Sequence, residues 1–323
     1  MLDPKGIYTA NERLLDDPRV HNLPLVIALS SPNDAGSTAG QMGHFLLQNL
    51  KSIPAVSFDV DQLHNYRERP PRVFYNKDHY EDLRLPTLKM HLVEDALDQP
   101  FFLFSGAEPD LQWRRFRAAV MHIVERIRPS LVLFVSAFPM PVPHTRAFPV
   151  TAHGSRKDLM EGISMWHPKA DLRASMGSVL ELEMIERGIG TVGFAVNIPQ
   201  YISEADLPQG LLTALEHVSI AAHLSLPTEE VREASRSVHE QINAQVQANP
   251  EVARMVTSLE ESYDANYQSA AASTMTLAQR DADKVPSRDQ IGVFFEQYLD
   301  EHPYDSRAQR PPRSQDPGDS PAV

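Results

Sequence analysis

Apolar runs alternate along this chain with stretches whose apolar positions recur every three or four residues. The longest such run, Leu131 to Phe138 (LVLFVSAF), reads as a strand buried on both faces, the kind found inside a parallel sheet. Pro24–Ser30, Ile53–Val60, Phe101–Phe104, Phe148–Ala152 and Thr191–Asn197 read as further strands. Between the first two, Ala39, Met42, Phe45, Leu46 and Leu50 recur at helical spacing. Asp110–Arg126, Ser175–Arg187 and Leu207–His223 read as helices, and Gly188 suits a left-handed C-cap. The pattern predicts an α/β protein. Its strand–helix–strand opening, with short joints, predicts a parallel pair and a right-handed crossover.

Two regions break the alternation. Over residues 72–92, Val73, Phe74 and Tyr75, then Leu83, Leu85, Leu88, Met90 and Leu92, look extended around a polar stretch. They predict a β-hairpin or meander inserted into the core. Its open edge and its exposed Phe74 and Tyr75 would favour contact between copies of the chain. After Pro227 the pattern is purely helical. Asn249 and Pro250 signal a helix start, followed by the stripe Val252, Val256, Leu259 and Tyr263. Ser287 to Gln290 form a capping box ahead of Ile291, Phe294, Phe295, Tyr298 and Leu299, a stripe that must dock. From Pro303 no periodicity remains, and a disordered tail is expected. The division is therefore a core at 1–226 with its insertion at about 72–92, a helical region at 227–302 that could act as a lid, and a tail at 303–323.

Composition narrows the options. The chain has 323 residues, 42% hydrophobic and 23% charged, and a formal net charge of −13. That balance repels nucleic-acid backbone and anionic membrane. There is no cysteine, which excludes disulfides, thiolate nucleophiles and cysteine-based metal centres. The amino terminus lacks a signal-peptide core, and no apolar run approaches the ~20 residues a membrane span needs. A cytoplasmic protein is the expectation.

The candidate chemistry sits where strands end. Leu131–Phe138 runs into a loop punctuated by Pro139, Pro141 and Pro143, which delivers His144, Thr145 and Arg146 together. Open α/β sheets bind ligands at that end of their strands. Arg146 can grip a carboxylate or phosphate with two bonds, and a histidine such as His144 titrates near neutrality. The alternative is structural: His144 bonds a loop carbonyl, and Arg146 pairs with Glu108 or Asp34. In the first turn, Asn33, Asp34 and Gly36 could meet an anion at a helix start, or Asp34 or Ser37 could simply cap that helix. Gly106 precedes Glu108, a carboxylate with no evident structural task, and Asp110 is an N-cap candidate. Asn197 and Tyr201 end a later strand and could line the same crevice as Arg146. Asp34, Glu108 and Arg146 are expected to converge on one rim of the sheet.

Other motifs are missing. The chain has no dinucleotide-binding glycine motif, no P-loop, no Gly-x-Ser-x-Gly and no His-Glu-x-x-His. Asp59, Asp61 and His64 read as a solvated loop, and Trp166 and His167 carry no specific signal. No metal and no cofactor is expected.

Several of these segments, in order, resemble the proteasome assembly chaperone two family in its actinobacterial form. They are Asn33-Asp34-Ala35-Gly36, Arg69-Pro70 with Val73, Gly106-Ala107-Glu108-Pro109-Asp110, Pro143-His144-Thr145-Arg146 and Asn197 to Ser203. Ser258-Leu259-Glu260 to Tyr263, then Pro286-Ser287 to Phe294-Phe295, extend the likeness. Gln200 stands where the family usually has His. The resemblance implies a three-layer α/β/α core similar to purine nucleoside phosphorylases, with a helical C-terminal addition. By analogy with such folds a homo-oligomer, a trimer, is expected. Two functions stay open: a non-catalytic binding or assembly protein with a protein partner, or a phosphorylase- or hydrolase-like enzyme acting on a small nucleoside-like or anionic ligand. In the enzyme reading Arg146 holds the anion, His144 shuttles a proton and Glu108 orients substrate.

Overall fold

The computed structural model describes residues 2–164 and 169–270. Trp166, His167, the Ser287–Leu299 segment and the tail from Pro303 lie outside the described residues. Among the described residues there are ten strands: β1 (Tyr8–Ala10), β2 (Leu25–Ser30), β3 (Ser52–Phe58), β4 (Arg72–Asn76), β5 (His79–Arg84), β6 (Leu88–Glu94), β7 (Pro100–Ala107), β8 (Val132–Met140), β9 (Val150–Gly154) and β10 (Thr191–Pro199). The helices are the short α1 (Glu12–Leu15), α2 (Thr38–Asn49), the short α3 (Val60–Leu63), α4 (Trp113–Ile127), α5 (Met176–Glu186), α6 (Pro208–Ala222), α7 (Glu229–Ala248) and α8 (Pro250–Ala270).

Eight strands form one sheet in the order β1-β3-β6-β7-β2-β8-β10-β9, and β4 and β5 form a separate hairpin. β2, β3, β7, β8 and β10 run one way, and β1, β6 and β9 run the other. Side chains alternate between two apolar layers, as strand pleating requires. Val26, Leu103, Val135 and Phe194 face α2 and α6, while Ile27, Phe104 and Phe134 face α4 and α5. The result is a three-layer α/β/α fold. Phe101 to Phe104 in β7 are each fully buried, two to a side. Burying a side chain of that size contributes about 1.5–3 kcal/mol, so a central strand with both faces filled anchors both layers at once. Val231, Val246, Val256 and Leu259 of α7 and α8 join the α2/α6 layer.

Three expectations change. β2 and β3 are parallel but not a pair, because β6 and β7 are inserted between them. The insertion is shorter than 72–92: β4 and β5 stand apart, while β6 pairs with both β3 and β7. Leu88 and Met90 are buried in the core, whereas Val73, Tyr75, Tyr80 and Leu83 remain exposed. Asp110 does not cap α4, which starts at Trp113 after a left-handed Gln112. Gly188 has φ of 73° just past α5, as the cap reading requires.

Candidate functional site

β2, β7, β8 and β10 are parallel neighbours, so the loops that follow them gather at one end of the sheet. In the β2 loop, Asp34 accepts the Ala39 amide on Oδ1 and the Gly40 amide on Oδ2, both at 2.9 Å. It therefore caps α2 from outside, while Ser37 makes no capping bond. Enclosure of its carboxylate raises the Asp34 pKa to about 6, against the pull of those amides. Asn33 is exposed. Gly36 has φ of 64°, donates its amide to the Ser203 carbonyl at 2.7 Å, and would bring any Cβ to 3.2 Å from the Leu207 Cβ, a tight contact. The β2 loop is thereby fastened to the loop after β10.

Near the end of β7, Gly106 lies against the start of β6, where a Cβ would come within 1.9 Å of the Thr87 carbonyl oxygen. Glu108 is buried and accepts the Met176 amide at 2.9 Å, the first N–H of α5. The carboxylate that lacked a task in the sequence is thus a remote helix cap. Burial raises its pKa, opposed by that amide and by Arg69. The negative charges of Asp110 and, more weakly, Asp34 push it up further. Arg69 binds the Glu108 carbonyl at 2.6 Å and the Asp110 carboxylate. Asp110 also accepts the Asn65 amide at 2.7 Å. These bonds turn Asp110 to tying the segment before the hairpin onto the β7 loop. Asp59 caps α3, Asp61 accepts the Tyr66 hydroxyl, and among the described residues no group of acids and histidines could hold a metal.

The loop after β8 is the most enclosed. His144 is 4% exposed and Tyr201 1%. The Tyr201 hydroxyl accepts the His144 backbone amide at 2.8 Å and lies 2.5 Å from Nδ1. Nε2 lies 3.1 Å from Asn243 Oδ1 on α7. A hydroxyl that donates to Nδ1 and an amide oxygen that accepts from Nε2 assign the proton to Nε2. Burial pushes the His144 pKa down to about 4, assisted by His239, whose ring centroid is 5.7 Å away. The ring is therefore neutral, with both nitrogens engaged.

Next to it, the Thr145 hydroxyl donates to Glu260. Arg146 grips Asp264 through Nε and NH2, at 2.9 and 2.8 Å, and reaches Glu260 through NH1 at 3.2 Å. Its partners are acids of α8, not Glu108 or Asp34. Val142 packs on Tyr263, whose hydroxyl donates to the Ala147 carbonyl at 3.0 Å. Asn197, also buried, donates to the Pro149 carbonyl and the Thr151 hydroxyl, binding β10 to β9. The structure thus gives Asp34 and Glu108 to separate helix starts, places His144 on Tyr201 and pairs Arg146 with α8. Sequence marked Arg69 only as part of the Arg-Pro motif, with no role, and did not single out Asn243, His239 or Asp264. The recurrence of Glu260, Tyr263 and Asp264 at helical spacing was the available signal for the last. Open surface depressions lie elsewhere, one beside Trp113 and Arg115, another beside Lys157 and Glu161.

A family profile described as PAC2 family matches residues 28–246. A Corynebacterium glutamicum protein of unknown function is 30% identical, with a TM-score of 0.75 over 80% of this chain and 97% of its own. A Mycobacterium tuberculosis protein of unknown function is 32% identical, with a TM-score of 0.77 over 82% and 91%. A second M. tuberculosis protein, described as a proteasome-assembly chaperone homologue, is 21% identical, with a TM-score of 0.64 over 72% and 100%. No curated protein matches the chain.

Proposed function

We propose, because this chain belongs to the PAC2 family, that it works as a non-catalytic binding or assembly protein. One observation carries the reading: the polar side chains at the strand ends are each bonded to groups of this same chain. Asp34 and Glu108 accept first-turn amides of α2 and α5, His144 is neutral and bonded on both nitrogens, and Arg146 and Thr145 are paired with acids of α8. General acid–base work needs a group poised near the working pH and free to reach substrate, and His144 meets neither condition. The description of the M. tuberculosis relative as a proteasome-assembly chaperone homologue supports a protein partner.

In this reading the loops after β2, β7, β8 and β10 form a crevice for a small anionic or nucleoside-like ligand, and α7 and α8 cover it as a helical domain. The β4–β5 hairpin, with Val73, Tyr75 and Tyr80 exposed, joins copies of the chain into a trimer. The site of action is the cytoplasm. The test is native mass spectrometry of the full chain mixed with separately purified proteasome core subunits. Co-assembly, or faster maturation of the core, supports the reading. Micromolar mixtures that show neither overturn it.

One observation favours an enzyme instead. Asp34 sits at a strand end with its pKa raised to about 6, in the range of a general acid. Phosphorolysis or hydrolysis of nucleosides that is lost in Asp34→Asn would select that alternative.

A further inference from the structure

The partners of Thr145 and Arg146 have a chemical character of their own. Two parallel N–H bonds from a guanidinium to two oxygens of one acid is the arrangement by which arginine recognises carboxylates and phosphates in general. Arg146 spends it on Asp264. Its remaining nitrogen, NH1, and the Thr145 hydroxyl share one oxygen of Glu260. Three oxygens are therefore collected by donors of a single loop. They come from side chains four residues apart, which lie on one face of α8. The group is not sealed in. Arg146 is 34% exposed and Asp264 47% exposed at their side chains. Exchange of the acids for another oxyanion needs no opening of the core. Exposed ion pairs contribute little to folding, and α8 is independently seated by Val256, Leu259 and Tyr263.

We propose that Thr145 and Arg146 form an oxyanion-binding site which Glu260 and Asp264 occupy from within the chain, so that a phosphate or carboxylate ligand competes with α8 for the same donors. This rests on the reading of the strand-end loop as a ligand site and adds its regulation. Ligand binding frees the outer turns of α8, and by linkage the docking of α8 weakens the ligand. The tethered acids act at a high effective concentration, so free anion must reach the millimolar range to displace them.

The test titrates inorganic phosphate, and separately acetate, into the full-length protein at matched chloride. Binding is followed by calorimetry, and hydrogen exchange is followed in residues 256–264. Three proteins are compared: wild type, the double variant Glu260→Gln with Asp264→Asn, and Arg146→Ala. The expected result is faster exchange in α8 of the wild type with added anion. The double variant should bind about fivefold more tightly, the scale of an exposed charge pair, and Arg146→Ala should not bind. A response to phosphate alone assigns a phosphate ligand, and a response to both anions a carboxylate-tolerant site. Equal affinity in the wild type and the double variant, with unchanged exchange, overturns the competition but leaves the ligand site standing. No binding to any of the three removes both.

Discussion

His144 should make this protein lose stability on mild acidification, by an amount the structure sets. The folded ring is neutral with its pKa near 4, whereas an exposed histidine titrates near 6.5. Between those values the unfolded chain holds more protons than the folded one. Stability from this group is complete above pH 6.5, falls as the pH drops towards 4 and is then constant. From pH 7.5 to pH 5 the loss covers about 1.5 pK units, or about 2 kcal/mol. Asp34 works in the opposite direction. Its folded pKa of about 6 exceeds its ordinary 3.8, so it favours the fold increasingly as pH falls from 6 towards 4. The two contributions partly cancel in the wild type, and a variant must separate them. His144→Gln should be less stable than wild type by about 1–3 kcal/mol at pH 7.5, because Tyr201 and Asn243 lose their buried partner. At pH 5 that deficit should shrink by about 2 kcal/mol. Urea unfolding followed by circular dichroism at the two pH values reads the difference. Imidazole nitrogen shifts should report the Nε2–H form still present at pH 5. A deficit that stays constant or widens on acidification would refute the buried neutral ring.

Other outcomes are as direct. Gly106→Ala should cost about 3 kcal/mol or more, since φ is 127° and the new Cβ meets the Thr87 carbonyl; a melting curve like that of wild type would contradict this. Glu108→Ala should lower stability by about 1 kcal/mol because the buried Met176 amide loses its acceptor while Ser175 still caps α5, with faster amide exchange at Met176, and Glu108→Gln should restore most of it because an amide oxygen also accepts. Tyr75→Ser with Tyr80→Ser removes an exposed aromatic pair whose rings are 5.1 Å apart. Light scattering should then report a smaller species with an unchanged fold, and an unchanged mass would remove the hairpin from the proposed contact.

Legibility tracked burial. β8 and β10 were readable because a strand covered on both faces leaves an unbroken apolar run. The ends were short: β10 continues through Ile198 to Pro199, a residue that usually breaks a strand, and β7 runs on through Ser105 and Gly106 to Ala107. β6 was read with the hairpin because Leu88, Met90 and Leu92 alternate with polar residues in the way an edge strand does. Its polar partners include His91, which is nonetheless 9% exposed, so the alternation misreported its place. Strand order was not readable, since nothing local to β2 or β3 records that later strands come between them. Among the site residues, sequence located the loops but not what each side chain meets. Glu108 finds its partner 68 residues away at Met176 and Arg146 finds Asp264 118 residues away, pairings that only the folded topology creates.

The placement of β2 also has a consequence for synthesis. Among the described strands this central one pairs with β7 and β8, and Ala107 follows its partner Ser30 by 77 positions. At a translation rate of ~5–20 residues per second, β2 waits roughly 4–15 s for its first neighbour. During that interval the nascent chain carries a strand that is apolar from Leu25 to Leu29, with both edges open. A factor that shields emerging apolar segments would therefore act on this protein before residue 107 leaves the ribosome, and slow codons placed before that point would lengthen the exposure.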